Sequence, residues 1–121
     1  MYINDNVQTN ALYNVGMFHE LRIGKLMHSA RNQSYYDAKM KDMYTLVLVT
    51  VTENSNHSST VVDRYSMNTA FGPMFHTKKE AHEFYCDLIE EMNRGITVIE
   101  LSTLIRRNGY VLIDSVVKKH D

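Results

Sequence analysis

The sequence predicts a single two-layer α+β domain. Three observations carry that reading: a β-branched run at residues 43–53, a capped amphipathic helix opening at Thr77, and a length of 121 residues. A chain of this size buries roughly 65% of the surface its unfolded form exposes, enough for one core without disulfide or metal support.

Residues 1–41 come first and carry the weakest pattern. The apolar residues of Met17 to His28 scatter around a helical wheel and alternate only in part as a strand, with Gly16 and Gly24 interrupting both. Ser34 is placed to cap a short helical turn through Tyr36 to Lys41. Met43 to Glu53 (MYTLVLVTVTE) then reads as a strand, rich in β-branched residues and free of Gly and Pro. Tyr44, Leu46 and Leu48 fall on one face, Val47, Val49 and Val51 on the other, so the strand belongs inside the sheet with cover on both sides. The polar stretch 54–59 makes a loop, and 60–66 resumes strand character, giving a loosely connected hairpin.

Phe71-Gly72-Pro73-Met74-Phe75 follows as a segment bent by Gly-Pro. It either plugs the core or presents Phe71, Met74 and Phe75 as an adaptable apolar surface. Thr77-Lys78-Lys79-Glu80 has the form of a capping box, and Ala81, Phe84, Tyr85, Leu88 and Met92 recur at three- and four-residue spacing. Glu83, Asp87, Glu90 and Arg94 take the opposite, wet face, and Gly95 stops a helix over 78–94. Thr97 to Glu100 repeats the capping signature, predicting a second helix, 98–107, with Arg106 and Arg107 at the negative end of its dipole. Asn108-Gly109 ends it, although the same pair also suits a tight hairpin turn between strands. Residues 110–117 (YVLIDSVV) close the chain as a strand.

The assembled expectation is a mainly antiparallel sheet of 43–53, 60–66 and 110–117 with helices 78–94 and 98–107 on one face. The other face of 43–53 needs a cover, supplied either by the N-terminal 40 residues or by a second copy in a homodimer.

Composition narrows function by exclusion. A formal net charge of −1 gives no large positive field for nucleic acid or anionic membrane. No apolar stretch reaches the ~20 residues of a membrane span. One cysteine, Cys86, permits no internal disulfide, and the N-terminus lacks a secretory pattern, so a cytoplasmic protein is expected. P-loop, dinucleotide, nucleophile-elbow, HExxH and EF-hand motifs are missing, which argues against an enzyme and names no cofactor.

Three readings remain. The first is a non-catalytic protein-binding regulator or inhibitor working through Phe71, Met74 and Phe75. The abundance of Asn, Met and Tyr beside a single Pro resembles small phage and mobile-element proteins in general, without matching a particular family, and so implies a host protein as partner. The second is a DNA- or RNA-binding module, with Arg106, Arg107, Lys118 and Lys119 on phosphates and Tyr110 stacking on a base. Glu100 on the same helix opposes it. The third is a small-ligand binder or enzyme: His82 and Cys86 stand one helical turn apart, where an imidazole could activate a thiol or both could hold a metal. A metal site needs further ligands, and the six histidines show no ligand spacing, so no metal is expected. The acidic row Glu83, Asp87, Glu90 and Glu91 reads as the solvated face of its helix.

Overall fold

The β-branched run forms its strand, and the other described elements are arranged around it. A computed structural model of the protein describes residues 1–26, 42–55, 62–113 and 115–119. Chain order is β1 (Tyr2–Asp5), β2 (Ala11–Asn14), a single 3-10 turn at Val15–Met17, β3 (Glu20–Lys25), β4 (Tyr44–Ser55), β5 (Val62–Phe75), α1 (Lys78–Met92), β6 (Val98–Glu100), α2 (Leu101–Arg107), β7 (Tyr110–Ile113) and β8 (Val116–Lys119). A five-stranded sheet has the order β3-β4-β5-β8-β7, and a three-stranded sheet the order β2-β1-β6. The fold is α+β with mostly antiparallel pairing. The turn expected at 36–41 and residues 56–59 of the expected loop lie outside the described residues.

β4 lies inside its sheet, between β3 and β5, as its two apolar faces require. Leu46 and Leu48 point into the main core with Phe71, Phe75, Phe84, Leu88 and Leu104. Val47 and Val49, on the opposite face, are only 7% and 5% exposed within the single chain. That face is therefore covered within one copy and does not call for a homodimer.

β5 corrects the sequence reading. The Gly-Pro segment 71–75 is the end of a long strand rather than a loop, and Phe71, Met74 and Phe75 are fully buried. The register slips here: Leu46 pairs with Phe71 and Tyr44 with Phe75, leaving Thr45 opposite three residues. A bulge of this kind leaves ladder carbonyls unpaired. The buried Thr45 hydroxyl reaches two of them and shares its one proton between the Phe71 carbonyl, at 2.9 Å, and that of Pro73, at 3.2 Å. Gly72 takes φ +75°, a conformation costly for any residue with a Cβ, and its N–H donates to the Asp5 carboxylate at 2.7 Å.

Asp5 is itself fully buried. Besides Gly72 it accepts from the backbone of Val7, Gln8 and Thr9 and, at 2.8 Å, from the Thr9 hydroxyl. One carboxylate thus closes the β1–β2 turn and fastens it to the bulge in the other sheet.

α1 forms where the cap and the stripe predict. The Thr77 side chain accepts from the Glu80 backbone at 3.1 Å, and its hydroxyl donates to the Glu80 carboxylate at 3.0 Å. The second capping box does not form. Residues 98–100 are extended, in parallel register with β1: Tyr2 opposite Val98, Ile3 opposite Ile99, Asn4 opposite Glu100. The gain is a strand pairing and a buried Ile99, which outweigh a local cap. α2 therefore begins at Leu101, and its first turn is capped from a distance by Asn6. That side chain accepts from the Ser102 backbone at 2.9 Å and donates to the Ser102 hydroxyl at 2.7 Å.

The expected strand 110–117 is two strands. β7 and β8 pair antiparallel, Val111 opposite Lys118 and Leu112 opposite Val117. Ser115, at φ 69°, lies in the turn between them, and its carbonyl accepts from the Met74 backbone at 2.7 Å. No helix among the described residues is long and apolar enough to cross a membrane.

Candidate functional site

The residues singled out by sequence do not gather into one site. Phe71, Met74 and Phe75 are core residues and offer no surface in this fold. His82 and Cys86 do meet: the Sγ–Nε2 separation is 3.6 Å, on the exposed side of α1. Yet no group of three or more His, Cys, Asp or Glu among the described residues could hold a metal ion. The acidic row is not wholly solvated either. Glu91 is buried and paired with Arg107 and, at 3.4 Å, with Arg94, while Asp87 takes a hydrogen bond from Tyr110.

Those contacts also dissolve the nucleic-acid set. Tyr110 is buried, its ring edge-on to Phe84 at 5.6 Å, so it has no free face for a base. Arg107 is committed to Glu91. Arg106 and Lys118 are exposed and form no ion pair among the described residues, and Lys119 lies opposite Tyr110 in the β7–β8 register.

An open depression of about 280 Å³ lies beside Glu91 and Arg107, lined also by Ile96, Val98, Thr103 and Leu104. Glu100 and Ile99 complete the lining; Glu91 and Arg107 are already paired, and the Glu100 carboxylate accepts from the Thr103 hydroxyl at 3.4 Å, so the one cation of the depression is engaged.

The surface that stands out is β7. Asn108 and Gly109 close α2, their N–H groups donating to the Leu104 and Arg106 carbonyls at 3.2 and 3.3 Å, and Gly109 turns the chain with φ +76°. Tyr110 then anchors the strand: its hydroxyl donates to Asp87 on α1 at 2.8 Å. Beyond this anchor Val111, Leu112 and Ile113 are 37%, 38% and 56% exposed. β7 pairs with β8 on one side and ends the sheet on the other.

Sheet edges are hazards that proteins usually blunt with charge. The far edge of the same sheet, β3, does this with Glu20, Arg22 and Lys25 along ELRIGK. β7 reads YVLI, without a charge. In the smaller sheet, edge strand β2 exposes one apolar side chain, Leu12. The signal in the sequence was the pair Asp114-Ser115 inside the supposed strand 110–117, a turn signature that splits it into a hairpin.

Tyr110 carries a testable electrostatic consequence. Burial, reinforced by the neighbouring Asp87 carboxylate that takes its hydrogen bond, pushes its phenol well above the ordinary value of 10.0. The neutral form is favoured in the fold, so its contribution is complete below pH 10 and is lost as pH rises from there through the folded value. Between those values this proton steepens the alkaline loss of stability by up to about tenfold in the folding equilibrium per pH unit. Denaturant titrations from pH 9 to 12 are expected to show a shallower alkaline decline for Tyr110→Phe than for the wild type. Parallel declines would contradict the assignment.

Comparison with protein-family models, with curated proteins and with solved structures returns no significant match.

Proposed function

We propose that this protein is a non-catalytic protein-binding module, and more narrowly a regulator or inhibitor that works by occupying a surface of another protein. The carrying observation is β7, an uncharged edge strand whose last three residues keep apolar side chains in solvent. Such an edge can pair with an extended segment of a partner through main-chain hydrogen bonds, with alternate side chains giving specificity. Burying the exposed parts of Val111, Leu112 and Ile113 would contribute about 2–4 kcal/mol. The anchor makes the strand a prepared surface: Tyr110 is held to α1 by Asp87 and to the core by Phe84, so little ordering cost falls on binding.

The test is a paired capture from cells of the source organism, using wild type and the double variant Val111→Asn/Ile113→Asn. Both substitutions lie on solvent-exposed positions, and circular dichroism checks that the fold is kept. The expected result is a stoichiometric protein partner held by the wild type and weakened at least tenfold by the variant. A partner held equally by both would remove β7 from the account, and no partner for the wild type would count against the binding function itself.

A further inference from the structure

The charges around β7 are unevenly placed. Arg106, in the last turn of α2, and Lys118, opposite Val111, both stand at the Tyr110 end of the strand. Both are exposed and free of ion pairs among the described residues, whereas Arg107 beside them is engaged by Glu91. Among the described residues, the Ile113 end of the strand carries no charge. We infer that the β7 edge takes an extended acidic segment of another protein: an apolar stretch that adds as a strand beside Val111 to Ile113, with carboxylates at the end nearest Arg106 and Lys118. This rests on the docking reading above and specifies its partner.

Charge complementarity selects this occupant over two others. A second copy, pairing antiparallel through its own β7, would bring the end that Asp114 follows in sequence toward the cationic end of each strand, one carboxylate against two cations, and so would leave a net positive charge there. A nucleic acid would bring anions but no match for three aliphatic side chains, and the buried Tyr110 ring cannot stack on its bases. An acidic extended peptide satisfies the main-chain edge, the apolar strip and the two cations together.

Fluorescence anisotropy with the full-length chain and labelled peptides tests it. The peptides share a Val-Thr-Val-Thr-Val-Thr centre and carry two glutamates at each end, or two lysines at each end, or glutamates with a proline at the centre. At low salt the glutamate peptide is expected to bind at least tenfold more tightly than the lysine peptide. That preference should shrink in 1 M salt, where screening acts over about 3 Å, and reverse in the variant Arg106→Glu/Lys118→Glu. The proline peptide is expected to lose binding, because it cannot complete the ladder. Equal binding of both charged peptides, each lost in Val111→Asn/Ile113→Asn, would overturn the acidic preference while leaving the docking edge intact. Glutamate-peptide binding that survives Val111→Asn/Ile113→Asn would overturn the docking edge and the inference with it. The inference also fails if neither peptide binds, if a duplex oligonucleotide binds more tightly than the glutamate peptide, or if sedimentation shows a dimer that this peptide does not dissociate.

Discussion

Asp5→Ala is expected to cost about 3–5 kcal/mol, the largest loss from any single polar substitution in this protein. The carboxylate is fully buried and takes N–H donors from Val7, Gln8, Thr9 and Gly72 together with the Thr9 hydroxyl. Water can reach the half-buried turn and replace some of these bonds after truncation. It cannot do so readily at Gly72, a buried residue whose Cβ position would lie 3.3 Å from Leu101. A hydrogen bond to a charged group is worth about 1.5–3 kcal/mol, and an orphaned buried donor adds its own penalty. Asp5→Asn should also be damaging, because both oxygens accept from N–H donors and an amide NH₂ would face one of them. Equilibrium urea unfolding measures both variants, and an Asp5→Ala loss below about 1 kcal/mol would refute this role.

Phe84→Ala should cost a similar 3–5 kcal/mol, for a different reason. Phe84 is fully buried, and its ring contacts Phe75 at 5.4 Å and Tyr110 at 5.6 Å. It therefore joins α1 to the end of β5 and to the anchor of β7. Truncation leaves a cavity between a helix and two strands, each held by its own backbone hydrogen bonds, where collapse is hard. The midpoint of thermal unfolding should fall by roughly 10–20 °C. A graded series makes the argument sharper: Phe84→Leu keeps most of the volume and is expected to cost less than about half as much. Equal losses for Leu and Ala would mean that the aromatic contacts, rather than the filled volume, dominate.

Elements decided by short-range chemistry were legible from the sequence. Thr77, Glu80 and the stripe Ala81–Phe84–Leu88 all lie within a few turns of one another, and α1 formed where they predict. β4 declared itself through β-branched residues on both faces. What escaped was decided by distant partners. Thr97 and Glu100 carry a capping signature, but β1 offers Val98 to Glu100 a ladder nearly a hundred residues away in sequence. The Gly72-Pro73 bend looked like a loop because the hydroxyl and carboxylate that make it a strand come from Thr45 and Asp5. The N-terminal strands are four to six residues long, too short for a hydrophobic period to speak for itself.

The candidate site was less legible still. Sequence pointed to apolar residues in an apparent loop, and folding buried Phe71, Met74 and Phe75 while leaving Val111, Leu112 and Ile113 outside. Both groups look alike as residue types. Only sheet order separates them, since β5 is interior and β7 is terminal.

Amide hydrogen exchange along β7, with and without the captured partner, reads strand addition at this edge residue by residue. In the free protein, the N–H groups of Tyr110 to Ile113 that point away from β8 should exchange quickly, while those paired with β8 are protected. On complex formation the outward set should slow by at least tenfold, as a new ladder covers it. Protection that appears elsewhere, with the outward β7 amides exchanging as before, would contradict docking by strand addition.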